Sequence, residues 1–245
     1  MPRFADDSRL IFDLGMNNGD DTAYYLTRGF NVVAVEANAA LCERARARFG
    51  RALEDGTLKI LNAAIAAQPG EATFFVNLDN DHWSSLDSGW AGRDGSRCRA
   101  VAVRCVTLRE LFEEFGVPYY LKIDVEGADQ CALDQLQGNG VLPFYVSVED
   151  CRFGFDYMDR LASCGYQRFN LLDQSTVAQL RDPRTGRAFP AGSSGPFGPD
   201  LPGRWLPHAE MLKFYAATVR DRSGKRLAPR TQWWDIHCAG GADRA

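Results

Sequence analysis

The chain has 245 residues, and 28 Lys and Arg against 32 Asp and Glu leave a formal net charge of −4. With 45% hydrophobic and 24% charged residues it has the composition of an ordinary globular protein, which excludes a wholly disordered or collagen-like chain. The acidic balance argues against nucleic acid or an anionic membrane as a partner, and no apolar run approaches the ~20 residues that cross a bilayer. Asp6, Asp7 and Arg9 ahead of a short apolar run lack the layout of a signal peptide. Seven Cys without a C-x-x-C pair fit neither a disulfide framework nor a zinc site. The expectation is a soluble cytoplasmic enzyme acting on a small molecule.

In chain order, residues 9–15 read as a buried strand ending in a glycine turn. Residues 20–28 carry apolar side chains at helical spacing behind an acidic start. Residues 31–36 form a valine-rich strand, Asn38 caps a helix that runs to Phe49, and 58–65 is a third strand. Alternation in units of this size predicts right-handed crossovers and a mostly parallel sheet with helices on both faces. The pattern breaks at 69–106, where β-like runs at 73–76 and 100–106 flank a polar loop holding Asp79, Asp81, His82, Trp83 and Ser85. This hairpin-like excursion is expected to carry a substrate loop. The alternation then resumes with a helix at 107–115, a strand at 119–125, a short helix at 129–136 and a strand at 144–148. A helix at 157–164 and a strand at 167–172 follow. Gly, Pro and Ser dominate 182–204, a long loop that is either functional or only routes the chain. A helix at 209–220 and a strand at 233–237 bring the chain back, so a single domain over 1–245 is expected.

Chemistry concentrates where strands end. Phe12-Asp13-Leu14-Gly15-Met16-Asn17-Asn18-Gly19-Asp20-Asp21 joins the first strand to the first helix, the place where an open α/β sheet binds ligands. Glu36 closes the second strand 21 residues after Gly15, a spacing at which an acid accepts hydrogen bonds from a ribose diol. A pyrophosphate at the helix start would meet Asp20 and Asp21, whereas S-adenosylmethionine carries no phosphate and a cationic sulfur. The same two aspartates are equally readable as helix caps. The cofactor set read from these edges is Asp13, Gly15, Asn17, Gly19, Asp20, Glu36, Ala37, Ala63 and Asp124.

The second signal is Leu121-Lys122-Ile123-Asp124-Val125-Glu126-Gly127. With period two, Lys122, Asp124 and Glu126 share one face of the strand, and charge on a central strand is costly unless paired. Two roles stay open for Lys122, buried partner of a carboxylate or functional group facing the acceptor. Glu149 and Asp150 end the next strand and add acids to the same kind of edge.

The glycine loop with Glu36, and above all Leu121-Lys122-Ile123-Asp124-Val125-Glu126-Gly127-Ala128-Asp129 ahead of Val148-Glu149, resembles the FkbM family of methyltransferases. The resemblance runs from about Ile11 to Glu149. It implies the Rossmann-like class I methyltransferase fold, with a seven-stranded sheet whose last strand, at 233–237, is antiparallel. It also implies S-adenosylmethionine as donor and O-methylation of a hydroxyl on a sugar, glycan or secondary metabolite. Asn17-Asn18 departs from the family's common Ala-Asn pair, and the tail from Ser193 lies outside the shared signature.

Transfer to an alcohol needs a base. Candidates are Asp124 and Glu149 first, His82 on the loop, with Lys122 beside them, and Glu126 and His237 as further options. A divalent cation on Asp124, Glu149, Asp150 and a histidine has suitable hard ligands, but no tight spacing demands it, so no metal is expected. The competing readings are a nicotinamide-dependent oxidoreductase or epimerase, which the missing G-x-G-x-x-G disfavours, and a non-catalytic protein that binds S-adenosylmethionine.

Overall fold

The computed structural model describes residues 3–241. In chain order the elements are β1 (Arg3–Ala5), β2 (Leu10–Leu14), α1 (Asp20–Thr27), β3 (Asn31–Glu36), α2 (Ala39–Arg48), α3 (Gly50–Glu54), β4 (Leu58–Asn62), β5 (Ala64–Ile65), β6 (Gly70–Asn77) and α4 (Ser88–Ala91). They continue with β7 (Cys98–Val106), α5 (Leu108–Phe115), β8 (Tyr120–Ile123), α6 (Asp129–Asp134), β9 (Val141–Pro143), β10 (Tyr145–Glu149) and α7 (Gly154–Ser163). The last are β11 (Arg168–Asp173), β12 (Leu206–Pro207), α8 (His208–Thr218) and β13 (Trp234–Ala239). The chain divides into two compact units, residues 7–137 and, of the described residues, 3–6 with 138–241.

The unit 7–137 is built on parallel strands in the order β8-β2-β3-β4. A parallel strand is covered on both faces, which is why Ile11, Phe12 and Leu14 of β2 and the run Val32-Val33-Ala34-Val35 of β3 are all buried. Each large side chain buried in this way contributes roughly 1.5–3 kcal/mol. The polar exceptions on these strands, Asp13, Glu36 and Lys122, are buried as well. α1 packs on β2 and β3, and α2 packs on β3 and β4. Asn38 caps α2 as its sequence position predicts, its side chain accepting from Ala40 N at 3.1 Å. α5 opens with a reciprocal capping box between Thr107 and Glu110.

The single strand expected at 58–65 is two. β4 pairs with β3, but at Ala63 the chain turns away and β5 pairs with β7. There β6 and β7 run antiparallel from Gly70↔Cys105 to Asn77↔Cys98 and complete a three-stranded sheet. The excursion is thus a hairpin, longer than the two short runs foreseen. Its connecting segment 78–97 is organised by buried Asn77, which donates to Ala91 O and Ser96 Oγ, both at 2.7 Å, and accepts from the N–H groups of Asp79 and Asn80, both at 2.8 Å.

In the other unit β12-β11-β13-β10 form antiparallel pairs, with β13 between β10 and β11. The strand expected at 233–237 is therefore present and antiparallel. β12 is an addition: a two-residue edge strand that stops at Pro207, which has no N–H to extend the ladder. Counting both units, these are eight strands of mixed direction. That corrects the expectation of a mostly parallel seven-stranded sheet; the α/β class stands. A separate parallel pair joins β1 to β9, two short strands that sequence periodicity does not reveal. The Gly/Pro-rich loop is packed rather than loose: Ser193 through Gly198 are buried, and Gly195, at φ 75°, lies so close to Val177 that a Cβ would come within 2.8 Å of it.

Candidate functional site

β2, β3 and β8 all end at one cleft of the unit 7–137. The cleft spans about 630 Å³ of space between atoms, part of it open solvent. The turn after β2 reaches it only because residue 15 is glycine. Gly15 has φ 83°, and a Cβ there would lie 1.8 Å from Asp124 O. Asn17 follows with φ 49°, a left-handed conformation that asparagine tolerates better than most residues. Its N–H donates to Glu36 Oε2 at 2.9 Å, while its own buried Oδ1 has no partner among the described residues. Glu36 Oε1 accepts from Asn38 N at 2.7 Å. Burial pushes the Glu36 carboxyl up from its ordinary value, and the N–H groups of Asn38 and Asn17 pull the other way.

Of the expected cofactor residues, Gly15, Asn17, Glu36, Ala37, Ala63 and Asp124 line the cleft, and so does His82 from the excursion. Asp13, Gly19 and Asp20 do not line it. Asp13 is fully buried behind the first turn, with its Oδ2 accepting from Thr22 Oγ1 at 2.6 Å. Gly19 precedes α1 in left-handed geometry under the Phe49 ring. Asp20 is held by Arg48 at 2.8 Å and Asn18 at 3.0 Å. Asp20 and Asp21 sit in the first turn of α1, whose N-cap is Gly19 and which has no side-chain capping hydrogen bond, and the acids lining the cleft are Glu36, Asp81, Asp124 and Glu126.

Behind Asp124 lies Lys122, whose Nζ is 3.3 Å from Asp124, 3.4 Å from Asp13 and 3.6 Å from Asp21, and which donates to Gly15 O at 3.3 Å. Burial works against the ammonium, but Asp124, Asp13 and Asp21 outweigh it and hold the Lys122 pKa above its ordinary value. Of the two roles left open, this is the buried partner of carboxylates. Glu149 ends β10 in the other unit, opposite Asp235 in register. Asp150 there is engaged by Tyr215 and by Arg220 at 2.9 Å, so its lone pairs are already occupied. His237 is buried inside β13 and neutral, its pKa lowered by burial to about 3, which suits a packed strand residue.

The family model described as a methyltransferase FkbM domain matches residues 13–168. The chain belongs to the FkbM methyltransferase family. No curated protein matches. Among solved structures, the FkbM methyltransferase from Methylobacillus flagellatus KT is similar at 14% identity with a TM-score of 0.38. The match covers 61% of this chain and 34% of that one, so this chain spans about a third of the length of that structure.

The FkbM match takes in every residue of the cleft. Sequence reasoning did not assign Val35, Ala64, Ile65 or Phe74 to it, because apolar walls carry no motif. It also did not foresee that Glu126 would reach back to the excursion. Glu126 Oε2 accepts from Trp90 Nε1 at 2.7 Å and from Arg93 Nη2 at 3.0 Å. Asp129, on the family's sequence signature, is a framework residue: its carboxylate accepts from Val125 N at 3.0 Å and Gly127 N at 3.1 Å. No helix among the described residues is long and apolar enough to cross a membrane. Cys42, Cys105 and Cys238 are buried, and burial pushes each thiol pKa up, for Cys42 to about 12, so they act as small apolar side chains.

Proposed function

We propose that the cleft holds S-adenosylmethionine and that the protein passes its methyl group to a hydroxyl oxygen of a sugar, glycan or secondary metabolite. The observation that carries this reading is the buried Glu36 carboxylate, facing the same cleft as Gly15 and Asn17 in a chain of a methyltransferase family. Each Glu36 oxygen accepts one backbone N–H and keeps a lone pair for a ribose hydroxyl. Among the described residues the cleft is lined by four carboxylates and no Lys or Arg, which favours a cationic donor over a phosphate-bearing one. When bound, the donor would supply an electrophilic methyl group, the new O–CH3 bond forming as the S–CH3 bond breaks and S-adenosylhomocysteine leaves. Asp124 is the proposed base, lining the cleft with Lys122 Nζ 3.3 Å behind it. His82 is the loop-borne alternative and Glu149 the third candidate, while Lys122 orients Asp124 and the carbonyl of Gly15.

The test is calorimetric titration with S-adenosylmethionine, S-adenosylhomocysteine and NAD, followed by transfer of a labelled methyl group to a panel of hydroxyl compounds. Selective binding of the sulfur ligands and labelled product are expected. Selective binding of NAD would overturn the reading, and donor binding without transfer to any hydroxyl would favour a non-catalytic binding protein.

A further inference from the structure

Glu126 has φ 47°, and Gly127 follows at φ 95°. A left-handed glutamate is strained and persists only where its surroundings fix it. Here the surroundings are the excursion. Ser85 Oγ donates to the Glu126 carbonyl at 2.6 Å, and the Glu126 carboxylate takes the Trp90 indole N–H and the Arg93 guanidinium. A Cβ on Gly127 would lie 3.3 Å from the Trp90 ring. Arg93 in turn lies over the Trp83 ring at 4.5 Å and over Trp90 at 5.5 Å. From the other side Asp129 pins Val125 and Gly127, so the turn that presents Glu126 is fixed. The stretch held in this way carries Asp81, His82, Ser84 and Leu86, which form one wall of the cleft.

We propose that Glu126 is a positioning residue: through Trp90 and Arg93 it latches the segment 78–97 against the end of β8, and retention of a donor in the cleft depends on that latch. The second half of this statement rests on the donor reading given above; the first does not. The carboxylate is the hub because it joins an element 36 residues away to the strand end through a partly buried ion pair, with side chains 28% and 16% exposed. Loss of either partner leaves the other charge without its counterpart in a low-dielectric setting.

The experiment is hydrogen exchange with mass spectrometry on the full chain, comparing the native protein with Glu126→Asn, Arg93→Met, Arg93→Lys and the Glu126→Asn/Arg93→Met double variant. Asparagine is at ease in the left-handed region but too short to reach Trp90 or Arg93, so this variant removes the latch without adding backbone strain. Amides of 84–97 are expected to exchange about tenfold faster in Glu126→Asn and Arg93→Met, with no further gain in the double variant. Residues 10–14 and 31–36 should stay unchanged, and Arg93→Lys, which keeps the cation, should stay near the native rate. Tryptophan emission should shift to the red in the two latch-breaking variants, because Trp83 and Trp90 both pack on Arg93. The Kd for S-adenosylhomocysteine should rise roughly tenfold in the same variants. Unchanged exchange at 84–97, additive effects, or acceleration spread equally over the sheet strands would each overturn the latch. If the native protein binds no S-adenosylhomocysteine, the donor reading fails while the exchange data still judge the latch.

Discussion

Each unit of the chain buries a cation among acidic side chains, and the two clusters differ in their balance and in what they face. In the unit 138–241, Arg220 meets the single carboxylate of Asp150, with the Tyr215 hydroxyl as a third member, and the Asp150 side chain is only 1% exposed. Gly154 makes this possible, since a Cβ there would sit 2.0 Å from the Tyr215 hydroxyl. In the unit 7–137, Lys122 meets Asp13, Asp21 and Asp124, and the Asp124 side chain is 37% exposed towards the cleft. The first cluster is balanced and closed, as expected of a structural tie. The second has more acid than base and an open end, an arrangement that costs stability unless the surplus charge is used. Both lie just beyond or at the end of a strand, so position alone does not distinguish a tie from a site; stoichiometry and access do.

The largest expected effect comes from removing the cations. Lys122→Met should cost about 3–5 kcal/mol in denaturant unfolding, because it strands three buried or half-buried carboxylates. It should also weaken S-adenosylhomocysteine binding. Arg220→Met should cost about 3 kcal/mol and leave that affinity alone. An equal loss of affinity in both variants would erase the distinction between the clusters.

Removing an acid comes next. Asp124→Asn keeps the shape of the open end and should lower turnover by roughly 10²–10⁴-fold, the usual share of a general base. Asp150→Asn should lower the unfolding midpoint with turnover per folded molecule unchanged. Full turnover in Asp124→Asn would move the base to His82 or Glu149.

The pH responses of the two units should oppose each other. Burial first, and Asp124 second, push the Glu126 carboxyl up to about 7. An acid raised in this way stabilises the fold below its unfolded value near 4.5, and that contribution is lost as pH rises through 7. Burial holds the His237 imidazole down at about 3. A histidine kept neutral contributes fully above its unfolded value near 6.5, and its contribution falls as pH drops towards 3. Calorimetric unfolding between pH 5 and pH 8 should therefore show Glu126→Gln flattening the high-pH limb and His237→Gln the low-pH limb. A variant that flattens the opposite limb would refute the assignment.

The smallest effect expected is from Glu36→Gln, which keeps one acceptor oxygen. A rise of about tenfold in the Kd for S-adenosylhomocysteine, near 1.4 kcal/mol, is expected by titration calorimetry. No change would remove Glu36 from the donor site and sharpen the claim of Asp124 to it.

Much of this was legible along the chain. Local rules carried β2, α1, β3 and α2, because continuous apolar runs, an asparagine cap and a glycine turn act over a few residues. The spacing from Gly15 to Glu36 was legible for the same reason, since one strand–helix–strand unit has a nearly constant length. The charges of Lys122, Asp124 and Glu126 stood out because polar residues are rare on a central strand. Other features were hidden by distance or by composition. β1 and β9 are three residues each, and pair across more than a hundred residues of chain. The loop at 182–204 has the composition of a solvated segment, yet Phe189 and Phe197 draw it inward.

By itself, then, the amino-acid order determined the strand–helix alternation, the glycine turn and the family signature with its acids at the strand ends, all set by short-range sterics and by the cost of burying charge. Tertiary structure alone decided which acids face the cleft and which are tied off. Asp13 and Lys122 turned inward, Asp150 found Arg220 seventy residues along the chain, and Glu126 closed on Trp90 and Arg93. Those outcomes depend on which side chains arrive within about 3 Å of one another after folding, and sequence spacing carries no record of such long-range encounters.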